Sequence, residues 1–331
     1  MKRLVLLVVV LATVAAACSS ADGGTLTVYS GRSEDLVQPL IDLFSAETGI
    51  EVTVRYAESA ELAATILEEG SSSPADVFFA QDPASLGTIA LAGLFATLPS
   101  GILDAVPSRF SDTDGTWVGV SGRSRVVVYD ESVVDPSDLP QSEDGFTDPA
   151  WSGKVALAPS NGSFLAFVAA KILIDGENAT RTWLDGMAAN QSPTFPNNSS
   201  IVTAVNDGQV PAGLVNHYYL LRALAENPEL PGENFFFPTP TAGSLVMPAG
   251  VGILASSDHS DEAERFISFL VDEGAQRYFA EETFEYPLLS GVPANPQLPP
   301  LDSLTTPDLD LSLLATTLDL ATDLVAEAGL L

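Results

Sequence analysis

Short β-rich segments alternate with helix-forming segments from residue 25 onward, and this alternation most constrains the fold. Residues 25–29 and 50–56 are rich in apolar and β-branched side chains, and residues 76–80 form a short apolar run. The stretches between them, 36–44 and 61–69, carry apolar residues and helix formers at helical spacing. A strand–helix–strand–helix–strand order predicts a parallel sheet covered by helices.

The second half of the chain repeats this pattern. Residues 125–129, 154–158 and 212–215 are predicted strands, and predicted helices follow residues 162 and 217. A chain of 331 residues is long enough for about two domains at roughly 150 residues each. The sequence therefore predicts a folded α/β protein.

The N-terminus is typical of an export signal. Lys2 and Arg3 precede an apolar run over residues 4–11, which is shorter than the roughly 20 residues that span a bilayer. The run leads to three alanines and Cys18, the only cysteine, so the segment resembles a lipoprotein signal. We predict a signal peptide over residues 1–17, a lipid on Cys18 and a tether over 18–24.

Composition and motifs exclude two broad classes of function. Lys and Arg number 13 against 44 Asp and Glu, a net charge of −31, so a nucleic acid would be repelled. The sequence lacks the glycine loops of nucleotide-binding proteins, the Gly-x-Ser-x-Gly elbow of hydrolases and the His-Glu-x-x-His motif of zinc proteases. We therefore predict that the protein is not an enzyme.

Two adjacent tyrosines form the strongest candidate site. Tyr218 and Tyr219 follow a predicted strand that ends at Asn216, at the start of a predicted helix. Spacing alone is also compatible with two half-buried aromatic side chains. However, consecutive residues on a helix lie about 100° apart, so a strand-to-helix junction lets both phenols converge on one hard cation such as a trivalent metal.

Two polar segments are candidates for binding an oxyanion. Pro159–Phe164 and Pro196–Ser200 each lie immediately before or at the start of a predicted helix, where free backbone N–H groups attract anions. Each segment is also a common helix-capping pattern. Together with Asn216 they offer three polar contributors to one cleft.

Several motifs occur in a fixed order along the chain. They are Val28–Arg32, Ser73–Phe79, Ser121–Asp130, Pro159–Phe164, Ala204–Gly208, Asn216–Tyr219 and Glu285–Leu288. This collinear set resembles the bacterial periplasmic ferric-ion-binding proteins, the substrate-binding subunits of iron ABC transporters.

The resemblance implies a two-lobed fold of the periplasmic-binding-protein type (type II). Each lobe would be a mostly parallel sheet flanked by helices, with the ligand in the cleft between them. The predicted lobes comprise residues 25–124 with 249–298, and residues 125–248 with 299–331.

The resemblance also implies the ligands. Tyr218 and Tyr219 would bind Fe³⁺, the transported ion, together with a synergistic anion, phosphate or carbonate. The positions that match the anion site are Asn161, Gly162, Ser163, Asn198 and Asn216. Arg32 and Arg123 are predicted to contribute charge near the anion, whereas Tyr129 is predicted to be structural.

The chain departs from the family at two positions. Ser33 stands where some members have a ligand histidine, and Gln81 stands where they have a glutamate. Gln81 can offer only a neutral carbonyl oxygen, so it is a weak ligand candidate. We expect anion oxygens and water to fill the vacant coordination positions.

The resulting hypothesis is a monomeric, lipid-anchored binding protein on the periplasmic or extracellular side of the cell membrane. It would deliver Fe³⁺ to an ABC permease and its ATPase, and it would touch the membrane only through its lipid. One alternative is a solute-binding protein for an organic anion or a phosphonate. An alternative from another class is a secreted hydrolase.

Overall fold

The computed structural model describes residues 24–331. The predicted signal peptide and Cys18 lie outside these described residues. The strands are β1 (Thr25–Ser30), β2 (Glu51–Tyr56), β3 (Val77–Ala80), β4 (Val118–Asp130), β5 (Val155–Ala156), β6 (Ala212–Asn216), β7 (Gly232–Phe235), β8 (Val246–Ile253) and β9 (Tyr286–Pro287). The α-helices are α1 (Glu34–Thr48), α2 (Ser59–Glu69), α3 (Pro83–Leu91), α4 (Ser100–Leu103), α5 (Gly162–Asp175), α6 (Glu177–Ala189), α7 (Asn198–Asn206), α8 (Tyr218–Glu226), α9 (Ser260–Leu270), α10 (Glu273–Glu281) and α11 (Leu318–Glu327).

The strands pair in the order β2-β1-β3-β8-β4-β6-β5, with β7 and β9 also paired to β4. The predicted parallel unit is present, because β1 runs parallel to both β2 and β3. In the second half β5 runs parallel to β6. The α/β architecture is therefore confirmed.

The sheet is mixed rather than mostly parallel. Strand β4 is 13 residues long and wholly buried. It runs antiparallel to β8 over Val118–Ser124 and antiparallel to β6 over Arg125–Tyr129. Because β4 and β8 cross the middle of the sheet in opposite directions, their pairs with each other and with their neighbours are antiparallel. The lobe boundaries given above remain a prediction.

Helix α1 shows how the sequence pattern produces this packing. Its buried residues recur at helical spacing and face the core. They are Leu36, Val37, Leu40, Ile41 and Phe44. The helix ends at Gly49, whose φ of 75° is in the left-handed region that glycine adopts without strain. The apolar spacing and the terminal glycine together define the helix.

The amphipathic sequence near residues 311–324 predicts a single helix, but the structure divides this segment into two helices. Residues Leu311–Thr317 form a 3₁₀ helix that leads into α11. This 3₁₀ helix packs so closely on α3 that a Cβ at Gly87 would lie 2.9 Å from the Cβ of Ala315. Among the described residues, no helix is both long enough and apolar enough to cross a membrane.

Candidate metal and anion site

The paired tyrosines lie at the junction of β6 and α8. Asn216 ends the strand, and Tyr218 and Tyr219 are the first two residues of the helix. Their rings stack with centroids 4.2 Å apart and planes inclined by 27°. Tyr218 is buried and Tyr219 is half-buried. The junction therefore brings the two aromatic side chains together, as the sequence predicts.

Buried charges surround Tyr218. Burial raises the pKa of its phenol well above the usual value, and Tyr219 adds to the rise. Arg32 and Arg123 act in the opposite direction, because a nearby cation stabilises the phenolate. The phenol is therefore protonated in the iron-free protein, while the arginines favour its ionised form.

The two arginines share one carboxylate. Arg32 Nη2 donates a hydrogen bond of 2.7 Å to Glu285 Oε2, and Arg123 Nε lies 3.9 Å from Oε1. Arg32 and Arg123 are 1% and 2% exposed, so neither lies at the surface, and Arg32 forms a buried ion pair with Glu285. Nε and Nη1 of both guanidinium groups have no hydrogen-bond partner among the described residues.

His217 fixes the backbone immediately before the tyrosine pair. Its Nδ1 accepts from the Ser124 N–H at 3.1 Å, and its Nε2 lies 2.8 Å from the Phe284 carbonyl. Nδ1 is an acceptor, so Nε2 carries the proton and donates to Phe284. Burial lowers the pKa of His217 to about 4, so the ring is neutral near pH 7. His217 therefore acts as a crosslink rather than as an ion pair.

The predicted anion segments meet at the N-termini of α5 and α7. Asn161 caps α5, and its Oδ1 accepts from the Ser163 N–H at 3.1 Å and from Ser163 Oγ at 2.6 Å. Asn198 Nδ2 donates to Asn161 Oδ1 at 3.1 Å and to Ser163 Oγ at 3.2 Å. Asn197, rather than Asn198, caps α7. No heavy atom lies within 4 Å of a Cβ built on Gly162, so this backbone faces open space.

Two cavities adjoin these residues. The larger has a volume of about 490 Å³, and Gln81, Asn161 and Gly162 contribute to its wall. The smaller has a volume of about 10 Å³ and is lined in part by Arg123, Arg125, Asp82, Ser163 and Asn216. Hydrogen bonds or shared cavities thus connect the five predicted anion residues with one another. None of these hydrogen bonds or cavities includes Tyr218 or Tyr219.

Ser33 lies at the surface, whereas Gln81 lies on a cavity wall. Ser33 is exposed before α1, where its carbonyl accepts from the Leu36 N–H at 3.0 Å. Gln81 is half-buried on the wall of the larger cavity, and its backbone N–H donates to Ser59 Oγ at 2.9 Å. Tyr129 is buried in β4, as expected of a structural residue.

Sequence reasoning missed Glu285, Arg125 and Asp82. Glu285 and Arg125 lie within motifs that carry the family resemblance, but neither motif reveals that the side chain is buried. Asp82 follows Gln81 and caps α3 by accepting from the Ser85 N–H at 2.8 Å. The signal for Asp82 was its place at the end of a buried strand.

A carboxylate cluster elsewhere in the described chain is not a metal site. Glu143, Asp144 and Asp175 approach one another closely enough to hold an ion. Lys171 Nζ occupies the space between them, with hydrogen bonds of 3.0, 2.6 and 2.7 Å to the three carboxylates. The cluster is therefore an ion-pair network in which Lys171 and Glu143 are buried and Asp144 and Asp175 are exposed.

Comparison with known proteins identifies related sequences and structures. A profile for bacterial extracellular solute-binding proteins matches residues 72–312. The chain is 35% identical over 323 residues to the Fe(3+)-binding periplasmic protein of Serratia marcescens, covering 96% of this chain and 93% of that protein. It is 34% identical over 310 residues to the major ferric iron-binding protein of Neisseria meningitidis serogroup B, covering 92% and 93%.

The fold is similar to that of solved iron-binding proteins. Iron-bound HitA from Pseudomonas aeruginosa superposes with a TM-score of 0.88 and 34% identity, over 92% of this chain and 99% of that chain. This likeness confirms the predicted two-lobed fold. The names of these relatives describe binding proteins, which confirms the prediction that the chain is not an enzyme.

Proposed function

The chain belongs to the family of bacterial extracellular solute-binding proteins, and on this premise we propose that it binds Fe³⁺ through Tyr218 and Tyr219 for ABC import. The observation that carries the proposal is the stacking of the two phenol rings at the β6–α8 junction, next to two buried arginines. Relatives that are named for ferric-ion binding, and that align along nearly the whole chain, support the same assignment.

The tyrosines bind the ion as phenolates. Fe³⁺ is a hard cation that favours anionic oxygen ligands, and it displaces the phenolic protons as it binds. Burial keeps the Tyr218 phenol protonated without the ion. Arg32 and Arg123 stabilise the phenolate once the proton has left. Iron binding therefore releases protons, and the affinity falls as the pH falls.

A synergistic oxyanion, phosphate or carbonate, completes the coordination. The N-terminus of α5 presents the Gly162 N–H and the positive end of the helix dipole to it, because Asn161 already accepts from the next N–H groups. Asn161, Gly162 and Ser163 supply this helix start, and Asn198 and Asn216 add side-chain amides. Gln81 is a weak ligand candidate, and Ser33 is a neighbour of the site rather than a ligand. Anion oxygens and water therefore take the remaining coordination positions of the ion.

Delivery of iron to a transporter requires that the protein is exported and that its cleft closes around the ion. The protein is exported, anchored by a lipid on Cys18 and monomeric, and it passes iron to a membrane permease that is driven by an ATPase. Ligand binding across two lobes stabilises the closed form, with β4 and β8 crossing between them. The iron-loaded protein should be more compact in solution scattering, and superimposable curves with and without iron would contradict closure.

A visible absorption titration with ferric citrate, with and without phosphate, tests the proposal. The wild-type protein should develop an intense phenolate-to-iron charge-transfer band. Tyr218→Phe should lose this band, whereas Tyr129→Phe, which changes a buried tyrosine of β4, should retain it. A band of equal intensity in Tyr218→Phe would contradict the proposal.

The volume of the larger cavity supports a second candidate ligand. A space of about 490 Å³ accommodates a small organic anion or a phosphonate as well as a hydrated ion. In that case the tyrosines only line the cleft. Calorimetry would then detect anion binding without iron, and Tyr218→Phe would leave the anion affinity nearly unchanged.

A further inference from the structure

Arg125 is a buried cation without a carboxylate partner among the described residues. It is 4% exposed, and its hydrogen bonds are two of 3.4 Å from Nη1 and Nη2 to the backbone carbonyls of Ser163 and Leu214. Its guanidinium carbon lies 4.7 Å from the ring centroid of Phe167. Its Nε has no partner in the described chain. Because burying an unpaired charge is costly, this arrangement indicates a missing counter-charge.

Two arginines with unpartnered N–H groups line one small cavity. Arg123 and Arg125 both contribute to its wall, and Nε and Nη1 of Arg123 are also without hydrogen-bond partners in the described chain. A cavity of about 10 Å³ holds roughly one water-sized atom. It is therefore large enough for one oxygen of a ligand, but too small for a whole oxyanion.

This cavity adjoins the proposed anion site, because the two have residues in common. Ser163 and Asn216 line it, and Ser163 also donates to the Asn161 side chain at the start of α5. The Ser163 carbonyl accepts from Arg125 on the side of the cavity. An oxyanion that rests on the α5 N-terminus can thus direct one oxygen toward the two arginines.

We propose that Arg125, together with Arg123, forms the floor of the anion site and selects an oxyanion with two negative charges. This inference rests on the proposed function, because it concerns the anion that accompanies Fe³⁺. Arg125 is the specificity-determining residue in this account. Its free N–H and those of Arg123 are donors for the deepest oxygen of the anion.

The balance of buried charges favours a dianion over a monoanion. Arg32, Arg123 and Arg125 are opposed by the carboxylates of Glu285 and Asp82, which leaves one positive charge. Fe³⁺ with two phenolates adds one further positive charge. A dianion neutralises the assembled site, whereas a monoanion leaves one positive charge buried, which is unfavourable at low dielectric.

Sulfate and perchlorate provide the probe, because both are tetrahedral and they differ in charge. Each is titrated into the iron-loaded protein, with the charge-transfer maximum as the readout, and into the iron-free protein by calorimetry. The variants are Arg125→Met and Arg125→Lys. Arg181→Met is the matched control, because it removes an exposed charge that pairs with Glu177 and Glu327.

The wild-type protein should prefer sulfate to perchlorate by at least about tenfold, as expected for one charge-assisted hydrogen bond. Arg125→Met should lose about tenfold or more in sulfate affinity and most of this preference. Arg125→Lys should retain most of the preference, which also shows that the site still folds. Arg181→Met should match the wild type.

Unchanged sulfate affinity in Arg125→Met would overturn the inference. If the wild type then keeps its tyrosinate band and Tyr218→Phe loses it, the proposed function stands without the role of Arg125. Absence of the band in the wild type would contradict iron binding itself. Calorimetry on the iron-free protein would still decide whether Arg125 binds the anion.

Discussion

Two charged clusters, each with a buried centre, differ in how completely their polar groups are paired. Lys171 donates to three carboxylates, and the buried Glu143 also accepts from Thr241 Oγ1 at 2.5 Å and from the Gly243 N–H at 3.1 Å. Near the tyrosines, three arginines have one closely paired carboxylate, Glu285, and several of their N–H groups have no partner in the described chain.

The first cluster is a structural network, and the second has the character of a binding site. A fully paired buried network has no capacity left for a ligand, so the Lys171 cluster holds α5 against the segment around Glu143. An incompletely paired network with an excess of positive charge retains both charge and donors for an oxyanion. The incompletely paired arginines therefore point to binding, whereas the buried Lys171 and Glu143 already have their partners.

The largest effect on stability is expected for Lys171→Met. This change leaves Glu143 buried without its cation, and breaking a buried pair typically costs about 3–5 kcal/mol. Urea unfolding of the iron-free protein should show this loss, while the charge-transfer band of the folded variant stays at the wild-type position. A loss of less than about 1 kcal/mol would mean that the network is not structural.

His217 should make stability depend on pH. Its pKa is about 4 in the folded protein and near 6.5 when the chain is unfolded, so between these values only the unfolded chain takes up the proton. The free energy of unfolding should therefore fall by about 3 kcal/mol as the pH falls through this window, and no further below it.

His217→Gln isolates this contribution. It removes the titrating ring but retains an amide donor for the Phe284 carbonyl. Other groups titrate in both proteins, so the difference between the two stability curves reports His217 alone. Curves that stay parallel from about pH 7 to about pH 4 would show that His217 is not buried in its neutral form.

Arg125→Met should change stability less than the two changes above, and it should not destabilise the protein. An apolar side chain replaces a buried cation that has no carboxylate partner, so the free energy of unfolding should be unchanged within about 1 kcal/mol or should increase. The same urea assay checks this. A loss as large as that of Lys171→Met would remove the distinction between the two clusters.

The smallest effect is expected for Arg181→Met. Its pairs with Glu177 and Glu327 lie at the surface, where solvent screens them. Neither the unfolding curve nor the iron titration should change measurably. A clear loss of iron binding would show that removal of any positive charge weakens the site, and that the buried arginines have no special role.

Local sequence signals predicted the elements that bear the site. Apolar and β-branched residues identified β1, apolar residues at helical spacing identified α1, and the strand-to-helix junction predicted that the two phenols converge. Asn161 was recognisable because a polar cap before an apolar helix has a local signature. These features depend on neighbours in sequence.

The pairing of distant charges could not be predicted in this way. Glu285 lies 253 residues from Arg32, and no short spacing encodes that contact. The burial of Arg125 depends on two phenylalanines of α5 that cover its guanidinium. The mixed sheet could not be predicted for the same reason, because the direction of a crossing strand depends on the tertiary fold rather than on its own residues.

The most direct test of the account is a crystal structure of the iron-loaded protein, with the ion located by anomalous scattering at the iron edge. We predict one iron bound by the phenolic oxygens of Tyr218 and Tyr219, with oxyanion oxygens beside it and Ser33 and Gln81 not both bound to it. An iron site away from the tyrosine pair would contradict the central claim.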